Sequence, residues 1–151
     1  MNLIIKPAEL SQESGLLELY KEVSLISNGI IRIPKEISRE YISGFMRDSI
    51  DRGLILVGIL DNKIVGEIHA YTPNIYAFRH ILTDLTIVVD PVYHGQGIGR
   101  KLLKKVLKYA GTYRGHALIH DTTSAKFYKA LGIREGIHGT YGEDGVIKFD
   151  E

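Results

Sequence analysis

The chain has 151 residues, 44% of them hydrophobic and 25% charged, with a formal net charge of +1. That length and balance suit one soluble globular domain over residues 1–151, with room for a buried core and no electrostatic bias towards nucleic acid. No cysteine occurs, which excludes disulfides, thiolate metal sites and a cysteine nucleophile; no apolar run reaches the ~18–20 residues of a membrane span and no leader pattern opens the chain, so a cytoplasmic protein is expected, with no membrane or nucleic-acid partner.

Leu3-Ile4-Ile5 reads as a short first strand. From about Ser11 to Ile26 the spacing predicts a helix, with Leu16, Leu17, Tyr20 and Val23 on one side and Asn28-Gly29 as its stop. A second helix is expected after Pro34, carrying Ile37, Tyr41, Phe45, Met46 and Ser49 at three- and four-residue steps and ending near Gly53. Leu54 to Leu60 and Ile64 to Thr72 read as strands joined by Asp61-Asn62-Lys63, a hairpin signal. In the second strand Ile64, Gly66, Ile68 and Ala70 are expected on one face, and Val65, Glu67, His69 and Tyr71 on the other.

A looser segment, Pro73 to Phe78, leads to a strand in which Leu82, Asp84, Thr86 and Val88 share a face opposite Thr83, Leu85, Ile87 and Val89. Two adjacent strands thus each carry polar residues, Glu67 with His69 and Asp84 with Thr86. Both sheet faces of an α/β domain are usually covered by helices, so carboxylates and an imidazole there suggest a cleft.

Asp90-Pro91 ends that strand, because proline lacks the N–H a ladder needs. His94-Gly95-Gln96-Gly97-Ile98-Gly99-Arg100 follows, then Leu102, Leu103, Val106, Leu107 and Ala110 at helical spacing. Glycines let a backbone approach a ligand closely, and a helix N-terminus offers unpaired N–H groups and the positive end of its dipole. Strand, glycine loop and helix together make a phosphate or pyrophosphate site. A P-loop needs Gly-Lys followed by Ser or Thr, and a dinucleotide fingerprint needs G-x-G-x-x-G. Gly95-x-Gly97-x-Gly99 fits neither.

Beyond the helix, Gly111 to Gly115 reads as a turn and Ala117 to His120 as a short strand. Thr122 to Ile133 reads as a capped helix that runs into another strand, and the tail as two short strands around Gly139 to Gly145.

The stretch Val89 to Leu103 resembles the pyrophosphate motif of the GNAT superfamily of acyl-CoA-dependent N-acetyltransferases: Gly97 and Gly99 match, and His94 stands where Arg or Gln is usual. Thr122 to Ile133 resembles the second motif of that superfamily, with Ala125, Phe127, Tyr128 and Gly132 matching, Thr122 in place of Asn and Ile133 in place of Phe. The resemblance implies a single-domain α/β acyltransferase fold with a mixed, mainly antiparallel twisted sheet flanked by helices. It implies acetyl-CoA as acyl donor, no metal, a small-molecule or peptide amine as acceptor, and a first helix pair whose joint, with Ile31, Arg32 and Ile33, lines the acceptor site. A homodimer is common in that superfamily.

Carried onto this chain, the donor would meet Val88, Val89, His94, Gly95, Gln96, Gly97, Ile98, Gly99 and Arg100, and in the second motif Thr122, Ala125 and Lys126. An amine is mostly protonated near neutral pH, so a base must remove a proton directly or through water. Asp84, Glu67 and His69 are the candidates, imidazole being the side chain that titrates nearest neutrality. The resemblance supplies a backbone N–H near Val89 for the oxyanion and Tyr128 as the acid for the leaving thiolate. With no cysteine, direct transfer in a ternary complex is expected over an acyl-cysteine. An inactive acyl-CoA-binding sensor or scaffold of the same fold is the alternative, and a nucleotide-phosphate binder a third.

Overall fold

The computed structural model describes residues 2–26, 29–30, 32–78, 83–110, 113–116, 138–141 and 147–149. Strands β1 (Ile4–Pro7), β2 (Gly53–Leu60), β3 (Lys63–Tyr71) and β4 (Thr83–Val89) lie side by side in that order, each antiparallel to the next. The β2–β3 turn is two residues, Asp61 and Asn62, with φ of 46° and 65°, the pair of positive angles that matches the twist of a tight hairpin. Lys63 therefore belongs to β3, opposite Leu60, rather than to the turn. A second antiparallel sheet joins β5 (Tyr113–His116), β6 (His138–Tyr141) and β7 (Ile147–Phe149). Every ladder among the described residues is antiparallel.

Helix α1 (Glu13–Ser24) follows a 3-10 turn at Leu10–Gln12, so the helix expected over 11–26 is two residues shorter at each end. Helix α2 (Arg39–Arg52) starts later than Pro34 suggested. Pro34–Glu36 forms a 3-10 turn, Ile37 leaves helical geometry, and Ser38 restarts it by accepting the Tyr41 N–H on its Oγ at 3.1 Å. Helix α3 (Ile98–Ala110) follows the glycine loop. Tyr113–His116 is a strand where a turn was expected, because its backbone pairs with β6. Likewise Gly139–Tyr141 lies within a strand. The expected strand at 117–120 and helix at 122–133 lie outside the described residues.

Helices α1 and α2 cover one face of the four-stranded sheet, burying Leu16, Leu19, Val23, Ile42 and Met46 against Val57 and Val88. Helix α3 covers the other, with Leu102, Leu103 and Val106 against Leu56, Ile68 and Ile87. The alternation expected along β4 holds from Leu85 to Val89. Along β3 it fails at one point. The register shifts so that Gly58 pairs with Gly66 but Ile59 with Ile64, leaving Val65 as an extra residue. Val65 therefore packs on the α3 side and Ile64 on the α1–α2 side, the reverse of strict alternation. Glu67, His69 and Tyr71 keep the α1–α2 face. No helix among the described residues is long and apolar enough to cross a membrane.

Helix α3 approaches the sheet closely at Gly66, where an added Cβ would stand 3.0 Å from Leu102 Cδ1 and 3.1 Å from Ile98 Cγ2. Gly66→Val is expected to cost about 1–3 kcal/mol in urea unfolding, as overpacking does. An unchanged midpoint would show that α3 yields without cost.

Candidate functional site

The end of β4 is held by Asp90, a carboxylate only 1% exposed. Its backbone N–H donates to the bulge carbonyl of Val65 at 2.8 Å. Its Oδ1 accepts the Val92 N–H at 3.0 Å, capping a 3-10 turn at Pro91–Tyr93, and its Oδ2 accepts from Lys63 Nζ at 3.0 Å. Lys63 also lies 3.6 Å from Glu22 of α1. Burial alone would raise the Asp90 carboxyl, but the Lys63 hydrogen bond and charge and the Val92 N–H outweigh it and hold it below the usual range. The same hydrogen bond to Asp90 holds Lys63 above its usual value.

From that anchor the chain enters the glycine loop. Gly95 and Gly97 have φ of +79° and +82°, and no atom lies within 4 Å of where either would carry a Cβ. Both conditions favour glycine and leave room for a ligand against bare backbone. His94 turns back, its Nε2 donating to the Val89 carbonyl at 2.7 Å. Lys101 N donates to Gly97 O at 3.0 Å, so the N–H groups of Ile98, Gly99 and Arg100 precede the helical ladder. The same three residues line a cavity of about 400 Å³.

Val88, Val89, His94, Gly95, Gly97, Ile98, Gly99 and Arg100, all expected to bind the donor, line this cavity, as do Val23 and Gly29 from the α1 side. Gln96 is exposed in the same loop but is not part of the cavity wall. Thr122, Ala125, Lys126 and Tyr128 lie outside the described residues. Free N–H groups at a helix N-terminus beside bare glycine backbone suit a phosphate or pyrophosphate group.

A second polar cluster sits on the α1–α2 face. Glu67, fully buried, accepts from Tyr20 Oη at 2.5 Å on one oxygen and lies 2.8 Å from His69 Nδ1 with the other. Were Glu67 an ionised carboxylate it could only accept, and the proton between them would then belong to Nδ1. The His69 ring stacks on Phe45 at 4.1 Å and 9°, and on Tyr71 at 6.4 Å and 6°. Arg32 caps the aromatic group, its Cζ 4.2 Å from the Tyr41 ring centre. Glu67 and His69 are thus together, but neither lines the cavity. Asp84 lies in β4 where its register with β3 shifts between His69 and Tyr71.

Sequence reasoning placed Tyr20 with the apolar side of α1 and missed its hydroxyl, whose only signal was one polar atom on an otherwise aliphatic face. It also missed the link from Asp90 to Lys63, for which an Asp before Pro, a cap signal, was the available clue. Among the described residues no group of three or more His, Cys, Asp or Glu side chains could hold a metal ion.

A family profile described as the acetyltransferase (GNAT) domain matches residues 51–134. No curated protein matches the sequence. Among solved structures, a GNAT-family acetyltransferase from Streptococcus pneumoniae is similar with a TM-score of 0.73 at 21% identity, covering 98% of this chain and 96% of its own. An N-acetyltransferase from Thermoplasma acidophilum in complex with coenzyme A gives 0.65 at 18%, covering 86% and 88%. The ribosomal-protein-S18-alanine N-acetyltransferase from Escherichia coli gives 0.61 at 17%, covering 86% and 76%.

The Asp90 anchor sets a pH dependence. A carboxyl held low when folded contributes stability above the ordinary carboxylate range near pH ~4, and loses it as pH falls through the lowered folded value. Lys63, held high, contributes below its ordinary value and loses that contribution only in strong alkali. Asp90→Asn is therefore expected to flatten the acid side of a plot of Tm against pH. An acid slope identical to that of the unaltered protein would show that Asp90 is not the group responsible.

Proposed function

The chain belongs to the GNAT acetyltransferase family, and on that footing we propose that it transfers an acetyl group from acetyl-CoA directly to a primary amine. The observation that carries the reading is the glycine loop: two positive-φ glycines and a helix N-terminus facing a cavity walled by the end of β4. Acetyl-CoA supplies the activated acyl thioester. The N–H groups of Ile98, Gly99 and Arg100 bind its pyrophosphate, and the bare backbone at Gly95 and Gly97 lets that group approach.

His69 is the proposed base. With Nδ1–H donated to Glu67, the neutral ring keeps a lone pair on Nε2, the arrangement that suits proton removal from an ammonium. The ring is only 2% exposed, so the proton reaches it through a bridging water. Asp84 is the second proton acceptor to be tested, by Asp84→Asn. As the new C–N bond forms and the C–S bond breaks, the backbone N–H near Val89 stabilises the oxyanion and Tyr128 gives its proton to the departing thiolate, leaving an amide and free CoA. The acceptor belongs to the broad class of small-molecule or peptide amines.

Saturating acetyl-CoA, at about a hundredfold over Kd, is expected to stabilise the fold by ~2.7 kcal/mol and raise Tm by roughly 5–11 °C, with ATP and NAD giving no rise. Release of free CoA is then measured with spermidine, kanamycin, free lysine and an alanyl peptide as acceptors. A rise in Tm with no CoA release from any amine would favour a sensor of acyl-CoA. No rise at millimolar acetyl-CoA would sink the donor assignment.

A further inference from the structure

We infer that Tyr20 is a positioning residue for the transfer reaction: its buried hydroxyl locks the Glu67 carboxylate so that His69 is held with its proton on Nδ1 and its Nε2 free. The inference rests on the reading of His69 as the base. Tyr20 has no exposed surface, and its neighbours on the buried side of α1 are Leu16, Leu19 and Val23. A phenylalanine would fill the same space without burying an oxygen, which costs stability unless that oxygen is paired. The hydroxyl is paired, with a carboxylate that is itself fully buried. The residues paired with Glu67 across the sheet, Val57 on β2 and Val88 on β4, are apolar and offer that carboxylate nothing.

Two kinds of contact then define the imidazole. Its plane is set by stacking with Phe45 and Tyr71, which run within 9° and 6° of it. Rotation within that plane is set by the bond from Nδ1 to Glu67. Stacking cannot choose between the two ring nitrogens; the carboxylate can, provided it stays put. Glu67 stays put because its other oxygen is held by Tyr20 from a different element. Phe45 also packs on the Tyr20 ring at 5.1 Å, so tyrosine and imidazole share one neighbour. Second partners of this kind orient a first group without touching substrate.

The test pairs kinetics with nitrogen NMR of the histidine rings, of which the chain has six, the His69 signals being assigned by their loss in His69→Gln. The unaltered protein is expected to show His69 as the Nδ1–H tautomer. Tyr20→Phe, which keeps the ring and deletes the hydroxyl, is expected to mix the two tautomers. With the best amine of the panel it should lower kcat about tenfold, the cost of one hydrogen bond to a charged group, and leave the acetyl-CoA KM within about twofold. Wild-type kcat in Tyr20→Phe, with His69→Gln inactive, overturns the positioning role alone. Wild-type turnover in His69→Gln overturns the base assignment itself. A wild-type spectrum with the proton on Nε2 overturns the inference with no need for a Tyr20 variant that folds.

Discussion

The site depends first on a single buried carboxylate. Asp90 ends β4, and every polar atom it brings into the interior is matched by a group from elsewhere: the bulge carbonyl of Val65, the N–H of Val92 and the ammonium of Lys63. An unpaired charge there would cost several kcal/mol, so the chain has one low-energy way to leave the sheet. That exit sets where Gly95 and Gly97 fall and where α3 begins. The bulge belongs to the same device. By adding Val65 to β3 it frees a carbonyl for Asp90 and turns both Val65 and Gly66 towards α3.

The two faces of the sheet consequently do different work. The α3 face is aliphatic and closely approached, which holds the helix N-terminus rigidly against the end of β4. The α1–α2 face adds to its aliphatic residues a group of rings, Tyr20, Tyr41, Phe45, His69 and Tyr71, around one carboxylate. Aromatic rings with polar tips can line a reactive centre and still pack as a core. Glu67 and His69 can therefore be buried without leaving a polar atom unmatched at their shared edge.

Much of this was legible in the sequence for identifiable reasons. Gly95, Gly97 and Gly99 mark a loop because left-handed backbone and close approach demand glycine, and Asp61-Asn62 marks a hairpin for the same conformational reason. The chemistry of Glu67 and His69 was visible because a period of two puts them on one face. The bulge was invisible, since Ile64 and Val65 are both apolar and exchanging their faces leaves the hydrophobic pattern unchanged. Pro34 looked like a helix start, yet the start is decided by a side-chain hydrogen bond from Ser38, which competes locally and leaves only a weak trace in composition. The Tyr20–Glu67 contact joins residues 47 apart, and no local pattern encodes such a meeting.

Val23 lines the donor cavity and Tyr20 holds Glu67, and the two sit three residues apart on one side of α1, about 4.5 Å along its axis. One rigid rod thus has a side chain in each compartment. Sliding or tilting α1 to admit a bulkier donor would stretch the Tyr20 contact, and repacking around Glu67 would move a wall of the cavity. The two halves of the site therefore cannot be redesigned separately through α1.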